Sequence, residues 1–193
     1  MTTTAIKPET SGKSINWKGL PGNLVAMARA KWFLRGATSV GHKVRMWGRH
    51  ALVRNYGTLC VADRVRLFSF ITPLDIMIGQ NGTMEIGENT FINYGVSMTA
   101  IEKVTIGRNC SIGTYVMIID NDFHSLSPEH RDIQPPSKPI TIGNNVWLGG
   151  HVIVLPGVTI GDGSVIGAGS VVTGNIPPRS LAVGTPAKVI RTL

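Results

Sequence analysis

A repeat of six residues constrains the fold of this 193-residue chain more than any other feature. Between positions 142 and 172 every sixth residue is aliphatic, in the series Ile142, Leu148, Val154, Ile160, Ile166 and Val172. A period of six matches neither the 3.6 residues of an α-helical turn nor the simple alternation of a flat strand. It is typical of a β-helix, in which one hexapeptide forms one side of a prism and three close a coil. We therefore predict an all-β fold whose aliphatic residues stack inside the prism.

Two further signatures accompany the aliphatic residue. Glycine follows it directly at positions 143, 149, 161 and 167, close to the turn, where glycine tolerates backbone angles that a Cβ would forbid. Four residues after the aliphatic residue comes a small or β-branched one, which we expect to point inward at a narrow corner. This second series is Val146, Val152, Val158, Ser164, Ser170 and Ile176.

The same rule extends towards the N-terminus with a wider spacing. Two coils are predicted from the series Ile86, Ile92, Met98 and Ile106, Ile112, Ile118. Their equivalent residues lie 20 rather than 18 positions apart, so we expect two extra residues at one corner. The same step of 20 assigns Ile78 to the end of an earlier coil. After Ile118 the rhythm resumes only at Ile142, which predicts a loop at 124–141 extruded from the prism. Long excursions of this kind are commonly functional.

These patterns divide the chain into four parts. We predict a flexible lead at 1–15, a basic and partly helical N-terminal cap at 16–66, a β-helix domain at 67–177 and a short C-terminal tail at 178–193. The hydrophobic content of 42% is ordinary for one globular core, and no apolar run reaches the ~18–20 residues of a membrane span. A secretory signal is not evident either.

Positive charge is concentrated in the first third of the chain. Residues 1–66 hold twelve Lys or Arg but only two acids, whereas the whole chain has a net charge of +8. One interpretation is a solvated cap on the open end of the prism, since solenoids need polar caps. The other is contact with an anionic membrane surface through residues 29–54, where basic residues alternate with Trp and Phe. No nucleic-acid-binding motif accompanies the charge.

The chain has two cysteines, Cys60 and Cys110. Cys110 falls on an inward small position, four residues after Ile106, so we expect a buried free thiol rather than a disulfide or metal ligand. A reducing, cytoplasmic location fits this usage, with peripheral contact at the inner face of the cell membrane as the alternative.

The segment from Lys138 to Ser170, with Asn-Asn-Val-Trp-Leu-Gly-Gly-His at 144–151, resembles the hexapeptide-repeat acetyltransferases. It is similar above all to the branch of maltose, galactoside and nodulation-factor acetyltransferases and polysaccharide O-acetyltransferases. The ending Val-Gly-Thr-Pro-Ala-Lys-Val-Ile-Arg at 183–191 is equally similar. The resemblance covers about residues 76–191. It implies a left-handed parallel β-helix, acetyl-CoA as acyl donor with no metal requirement, and a homotrimer with active sites in the clefts between identical subunits.

Acyl transfer from a thioester to a hydroxyl needs a base for the hydroxyl proton and donors for the developing oxyanion. Histidine suits the first task, because its pKa is near neutrality. The resemblance implies that His124, at the start of the extruded loop, is the general base. It also implies that Asn93 holds the acceptor or assists the oxyanion, although asparagine at this point of a corner is also a common ladder residue.

Other polar residues of the loop are candidates for acceptor binding. Asp120 and Asp122 flank the catalytic position, and either could orient His124 or bind a sugar hydroxyl. His130 is a further candidate for an acceptor contact. His151, inside a repeat at an outward position, is interpreted as structural.

The resemblance also assigns the cofactor groove. Trp147 aligns with a tryptophan that lines the pantetheine tunnel, and Gly149 and Gly150 lie where backbone N–H groups meet the thioester carbonyl, with Gly150 as the oxyanion donor. We expect Ala168 and Thr173 on successive coils of the same groove. Gly174 replaces a lysine found in many relatives, which leaves two cations in the tail, Lys188 and Arg191, for the nucleotide phosphates, unless they are merely solvated.

The predicted function is acetyl-CoA-dependent O-acetylation of a sugar hydroxyl on a glycan or lipid-linked glycan precursor. An N-acetyltransferase for a nucleotide-linked amino sugar uses the same prism, but generally with an extra domain. A γ-type carbonic anhydrase needs three zinc-binding histidines in facing coils, and the repeats offer only His151. A non-catalytic scaffold is the remaining alternative.

Overall fold

The computed structural model describes residues 22–48 and 50–193, which form a parallel β-solenoid preceded by one α-helix. The helix, α1, spans Asn23–Phe33. Three parallel sheets, A, B and C, form the sides of the prism, and each coil contributes one strand to each sheet. Six coils stack in this way, so the predicted all-β, parallel β-helix architecture is confirmed.

Sheet A consists of β1 (Ser39–Val40), β4 (Thr58–Val61), β7 (Thr83–Ile86), β10 (Lys103–Ile106), β13 (Ile140–Ile142) and β16 (Thr159–Ile160). Sheet B consists of β2 (Arg45–Gly48), β5 (Arg66–Ser69), β8 (Phe91–Ile92), β11 (Ser111–Ile112), β14 (Trp147–Leu148), β17 (Val165–Ile166), β19 (Ser180–Gly184) and β20 (Ala187–Thr192). Sheet C consists of β3 (Ala51–Asn55), β6 (Leu74–Ile78), β9 (Ser97–Ala100), β12 (Met117–Ile119), β15 (Ile153–Val154) and β18 (Val171–Val172).

The strand register confirms the predicted stacking of aliphatic residues. Ile112, for example, pairs with Ile92 on one side and Leu148 on the other. The same vertical pairing joins the equivalent residues of the other two sheets. Side chains of this inner series are at most 2% exposed. Each side of the prism thus contributes one aliphatic residue to the core, and these residues stack from coil to coil. The six-residue period of the sequence follows from this packing.

The solenoid begins earlier than the predicted boundary at residue 67. β1, β2 and β3 pair in parallel with β4, β5 and β6, so the first coil starts at Ser39. Sheet A advances by 21 residues from Val40 to Val61 and by 25 from Val61 to Ile86. Longer corners therefore hide the period of six in these coils. Of the predicted cap at 16–66, the described part outside the prism is α1 and its connection, while the predicted lead at 1–15 lies outside the described residues.

Two inward residues also differ in register from the prediction. Ile76, not Ile78, pairs with Met98, whereas Ile78 pairs with Ala100. The physical reason is that β6 has three inward residues, Leu74, Ile76 and Ile78, so counting 20 residues back from Met98 selects Ile78, whereas the register requires 22 residues to reach Ile76. Ile176 is buried as predicted, but it bridges to Ile160 and so begins a further turn of sheet A.

Backbone in the left-handed region forms columns at the corners. Between sheets B and C the column contains Gly95, Tyr115, His151 and Gly169, with φ from 57° to 71°. Between sheets A and B it includes Asn89, Asn109 and Asn145, and asparagine tolerates this conformation better than most residues. Asn89 Nδ2 donates to Asn109 Oδ1 at 2.8 Å, which links successive turns of the column.

The helix α1 covers the open end of the first coil. Ala26 and Ala30 are 1% exposed, and α1 packs mainly against β2. Its other side presents Leu24, Val25 and Trp32, which are 79%, 56% and 64% exposed. Neither α1 nor any other helix in the described ranges is long and apolar enough to span a membrane.

The extruded loop runs from Asp120 to Pro139, between β12 and β13, and contains a short 3-10 turn at Pro128–His130. At the other end of the chain the predicted tail extends sheet B. There β19 pairs in parallel with β17, and β20 folds back antiparallel on β19. Cys110 is a buried free thiol as predicted, and burial raises the pKa of this thiol; Cys60 is also free and is half-buried.

Candidate active site

Several of the predicted site residues lie along one face, the outer surface of sheet B. Register places one outward column through the sheet in the order Arg45, Arg66, Phe91, Ser111, Trp147, Val165 and Leu181. A second column, Asn93, Gly113, Gly149 and Gly167, follows at the corner between sheets B and C, and each of its N–H groups donates to a strand carbonyl of the next coil. The predicted Asn93, Trp147 and Gly149 therefore share one edge of the prism.

The predicted cofactor residues form the upper part of this edge. The Trp147 side chain is 57% exposed, although it lies on a strand of the regular solenoid. A Cβ on Gly149 would approach the Ala168 nitrogen to 2.6 Å, so close packing against the next coil requires glycine there. The Gly150 carbonyl accepts the Gly169 N–H at 2.9 Å, while the Gly150 N–H donates to no acceptor in the described part of the chain. This free N–H is what an oxyanion donor needs.

Thr173 does not continue the line of Ala168, contrary to the prediction. Ala168 follows β17 at the corner between sheets B and C, whereas Thr173 follows β18 at the corner between sheets C and A. The physical reason is the repeat itself, because residues five positions apart lie on successive sides of the same coil. Both side chains are exposed.

The tail cations lie at the C-terminal end of the same face. Lys188 and Arg191 belong to β20, opposite Val183 and Leu181, and both side chains are exposed. Leu181 is the last member of the outward column that contains Trp147. The predicted phosphate partners are therefore on the side of sheet B that carries the tryptophan.

His124 is held at the start of the extruded loop by a tight turn. The Asn121 Oδ1 accepts the Phe123 N–H, and Phe123 adopts a φ of 59°. His124 Nδ1 lies 3.1 Å from the Arg131 carbonyl oxygen, and the ring is exposed. A carbonyl accepts only, so this hydrogen bond places the proton on Nδ1 and leaves the Nε2 lone pair available as a base.

Asp120 cannot play the role predicted for it. Its carboxylate is fully buried and accepts the backbone N–H groups of Ile101, Glu102 and Lys103 at 2.8–3.0 Å. These donors surround both carboxylate oxygens, so Asp120 neither orients His124 nor reaches an acceptor. Sequence reasoning missed the actual orienting group, the Arg131 carbonyl, because a backbone oxygen has no sequence signature.

The other acceptor candidates remain predictions. Asp122 is exposed, and its backbone carbonyl accepts the His124 N–H at 2.7 Å. His130 is exposed with Nδ1 3.3 Å from Ser127 Oγ. Asn93 Oδ1 accepts the N–H of its neighbour Tyr94 at 2.9 Å, which leaves the Nδ2 group for an acceptor. This local bond also differs from the vertical ladder that was the alternative explanation of Asn93.

The loop and the tryptophan edge occupy different corners of the prism. Hydrogen bonds tie the loop to residues 101–103 through Asp120 and to Gly157 through the Lys138 carbonyl. Both attachments lie at the corner between sheets C and A, whereas Asn93 and Gly149 lie at the corner between sheets B and C. Within one chain, sheet C separates the two anchoring corners.

Aromatic residues that sequence reasoning passed over line the same edge as Asn93. Tyr115 stacks on His151, with ring centres 5.0 Å apart and planes at 19°, and meets Tyr94 edge-on. The Tyr115 hydroxyl lies 3.0 Å from Thr72 Oγ1. The stacking gives His151 a packing partner at the corner, and its structural role stays a prediction.

Comparison with known proteins agrees with this architecture. Residues 139–174 match the family described as bacterial transferase hexapeptide (six repeats). The galactoside O-acetyltransferase of Escherichia coli K12 is 43% identical over 127 residues, which are 63% of this chain and 59% of that enzyme. A solved galactoside acetyltransferase in complex with coenzyme A is 41% identical with a TM-score of 0.58, covering 67% of this chain and 62% of that one.

A prism of hexapeptide coils with an exposed tryptophan edge defines the class as a hexapeptide-repeat protein. A hexapeptide-repeat containing acetyltransferase from Vibrio cholerae, solved with acetyl coenzyme A, is 31% identical with a TM-score of 0.65, covering 86% of this chain and 77% of that one. The chain belongs to the hexapeptide-repeat acetyltransferase family. It spans 59% and 62% of the length of the first two curated relatives that it matches.

Proposed function

We propose that this protein is an acetyl-CoA-dependent O-acetyltransferase that acts on a sugar hydroxyl of a glycan or lipid-linked glycan precursor. The observation that carries the proposal is the edge formed by Trp147, Gly149 and Gly150 in a chain whose relatives include galactoside acetyltransferases solved with coenzyme A. An exposed tryptophan and a free backbone N–H on a rigid solenoid provide one apolar surface and one oxyanion donor.

The reaction needs each of these groups for one task. His124 Nε2 takes the proton of the acceptor hydroxyl as its oxygen attacks the thioester carbonyl, while the Gly150 N–H stabilises the charge on the carbonyl oxygen. The C–S bond then breaks, and the imidazolium of His124 returns the proton to the thiolate of coenzyme A. The Arg131 carbonyl keeps the Nδ1–H tautomer throughout, since it can only accept.

The separation of the two corners supports a homotrimer. His124 belongs to a loop anchored between sheets C and A, and Gly150 follows the corner between sheets B and C. Three-fold association would bring the loop of one chain against the tryptophan edge of the next, and cyclic symmetry would produce three identical sites. Each site would then combine residues of two chains.

Titration calorimetry with acetyl-CoA tests the cofactor edge. We expect one site per chain in the wild type and a roughly tenfold weaker Kd in Trp147→Ala, because the variant loses a large apolar contact. Trp32→Ala is the matched control, since Trp32 is a similarly exposed tryptophan on α1. Equal affinity of the two variants would contradict the role of Trp147. Absence of acetyl-CoA binding by the folded wild type would favour the non-catalytic scaffold instead.

The acceptor class is tested in the same preparation by release of coenzyme A. We expect turnover with sugar hydroxyls and none with nucleotide-linked amino sugars. Preferential turnover of a UDP- or dTDP-linked amino sugar would replace O-acetylation by the alternative N-acetyltransferase function. This choice matters because the solenoid is common to both reactions, so the acceptor alone separates them.

The exposed side of α1 supports a peripheral contact with an anionic membrane surface from the cytoplasmic side. Leu24, Val25 and Trp32 form an apolar strip on the helix, and Lys31 and Arg35 lie beside it. The guanidinium carbon of Arg35 lies 4.8 Å from the centre of the Trp32 ring. Apolar rings beside basic side chains are favoured at the boundary between headgroups and acyl chains.

Co-sedimentation with lipid vesicles measures this contact. We expect binding to phosphatidylglycerol vesicles, little binding to phosphatidylcholine vesicles, and loss of about 1 kcal/mol of binding free energy for each of Lys31→Gln and Arg35→Gln. The expected decrease at high salt reflects screening of the headgroup charge. Lys103→Gln, on β10 and three strands from the first coil, serves as control. Identical sedimentation with the two lipids would rule the contact out.

A further inference from the structure

Two arginines and three aromatic rings form a cluster at the N-terminal end of sheet B. We name it the Arg–aromatic cluster, and its members are Arg45, Trp47, Arg66, Phe68 and Phe91. Arg45 and Arg66 are register partners on neighbouring parallel strands, whose backbones are ~4.8 Å apart. Trp47 and Phe68 are register partners in the same pair of strands, and their rings meet edge-on at 5.2 Å.

The rings and the guanidinium groups pack together into one surface. Phe68 meets Phe91 edge-on at 4.9 Å between ring centres. The Arg45 guanidinium carbon lies 5.6 Å from the centre of the Trp47 ring, and that of Arg66 lies 5.4 Å from the centre of the Phe91 ring. The aromatic rings thus hold both cations against the sheet instead of leaving them free in solvent.

The two positive charges lack an acidic counterpart in the described part of the chain. The ion pairs formed by the described residues involve His42, Arg54, Arg64 and Lys103, and none includes Arg45 or Arg66. Burial, reinforced by the neighbouring Arg45 charge, lowers the pKa of the Arg66 guanidinium. Like charges directly opposite each other on adjacent strands are destabilising. The pair therefore raises the free energy of the fold, and a bound anion would remove that penalty.

Three buried donors in the cluster also lack an acceptor. Arg45 Nε, Arg66 Nε and Trp47 Nε1 are buried from solvent, and no hydrogen-bond partner for them occurs among residues 22–48 and 50–193. The Arg66 terminal nitrogen has only a long contact of 3.4 Å to the Asn89 carbonyl. Buried donors in folded proteins are nearly always paired, so three of them side by side indicate a missing acceptor.

A small cavity lies beside Arg66, one of the residues with an unpaired donor. It has a volume of about 140 Å³ and is lined by Arg66, Phe68, Phe91 and Ser111. This volume is sufficient for a carboxylate or phosphate group. A pyranose ring attached to that group would lie outside the cavity, against the aromatic surface, where apolar C–H faces of sugars pack well.

Position along sheet B assigns the cluster to the acceptor rather than to the cofactor. Phe91 is two residues before Asn93, and Arg66 is three strands from Trp147, or about 14 Å. Lys188 and Arg191, the predicted partners of the nucleotide phosphates, lie at the opposite end of the sheet. The cluster is therefore on the far side of Asn93 from the cofactor edge.

We propose that the Arg–aromatic cluster is a subsite for the anionic group of an acidic sugar, with Arg45 and Arg66 binding its carboxylate or phosphate and the rings supporting its pyranose. This inference rests on the proposed acetyltransferase function and names its acceptor class. Guanidinium groups bind both anions through paired N–H donors, so the two anions share the recognition chemistry.

Binding of matched sugars to the full-length protein tests the subsite without turnover. Methyl β-glucuronide and methyl β-glucoside differ only in the carboxylate, and glucose 6-phosphate against glucose provides the phosphate arm. We expect one acidic probe to bind about 10- to 100-fold more tightly than its neutral partner, as charge-assisted hydrogen bonds allow. The arm with the larger ratio identifies the anion. Equal affinities within both pairs would overturn the proposal without the need for any variant.

Substitution locates the effect. The Arg45→Gln/Arg66→Gln double variant is expected to lose the preference for the acidic probe, whereas Arg64→Gln should keep it. Arg64 is two residues from Arg66, but it lies at the corner and pairs with Glu88, so the control removes the same charge outside the cluster. An unchanged preference in the double variant would overturn the subsite. Dissociation of the oligomer in that variant would do so as well, since it would assign the arginines to a second copy of the chain.

Failure of this inference is distinguishable from failure of the proposed function. Acetyl-CoA binding and transfer to neutral sugars with no acidic preference would remove the subsite and leave the acetyltransferase intact. Binding of the acidic probe by a protein that does not bind acetyl-CoA would remove the acetyltransferase and leave the anion site intact.

Discussion

Replacement of His124 by asparagine is expected to lower the rate of acetyl transfer by about 10²–10⁴-fold, the usual contribution of a positioned acid or base. Asparagine can keep the hydrogen bond to the Arg131 carbonyl through its amide N–H, so the shape of the loop should persist. It has no lone pair that takes a proton near neutral pH. The variant therefore removes the chemistry while leaving the exposed turn around Phe123 in place.

The measurement is release of coenzyme A together with calorimetric binding of acetyl-CoA. We expect kcat to fall while the Kd for acetyl-CoA stays within a factor of about two, since the base acts in the transition state rather than in the ground state. His50→Asn, at an exposed position outside the loop, is the control. A His124→Ala or His124→Asn protein with the wild-type rate would eliminate the mechanism.

Replacement of Asp120 by alanine is expected to destabilise the fold by about 3–5 kcal/mol, because it leaves buried donors without an acceptor. The carboxylate accepts three consecutive backbone N–H groups at the turn between β9 and β10, and the side chain is 0% exposed. The backbone carbonyl of Asp120 also receives the Lys138 N–H at 2.9 Å, so the neck of the loop should loosen together with the turn.

Urea unfolding measured at fixed protein concentration provides the test. Asp122→Ala removes the same group two residues away from an exposed position, and we expect its free energy of unfolding to change by less than about 0.5 kcal/mol. Asp120→Asn should fall between the two, since the amide keeps one acceptor oxygen but places an N–H₂ group among donors. Equal stability of Asp120→Ala and Asp122→Ala would show that the buried carboxylate contributes nothing.

The fold could be predicted from the sequence wherever one side of the prism is one hexapeptide. From β14 to β18 the strands are two residues long, so each has a single inward aliphatic residue and the spacing is regular. In the first coils β2, β4, β5 and β6 are four or five residues long and contribute two or three inward positions each, as Leu74, Ile76 and Ile78 do in β6. Each of these strands then offers more than one buried position, so counting in fixed steps along the sequence selects Ile78 as the partner of Met98 instead of Ile76.

Site residues could be predicted where they depart from the hexapeptide repeat. Trp147 interrupts an otherwise regular repeat at an outward position, and His124 opens the one long interruption between Ile118 and Ile142. The burial of Asp120 was not predictable, because its partners are backbone groups on another coil. The pairing of Arg45 with Arg66 depends on a register that the total charge of the segment does not reveal.

The closed neck of the extruded loop has an evolutionary consequence. Asp120, Asn121 and Lys138 tie the two ends of the loop together beside one corner, through bonds to residues 101–103, Ser137 and Gly157. The regular strand pairing of the prism therefore continues across the insertion, with β10 paired to β13 and β12 to β15. Lengthening a loop whose ends are already fixed changes stability little, since each doubling costs about 0.6 kcal/mol of chain entropy. Residues 132–134, between the Arg131 carbonyl that holds His124 and the Pro135 carbonyl that binds Asn121, can therefore diversify in length and sequence while the scaffold stays constant, which makes this segment the natural place for new acceptor preferences to arise.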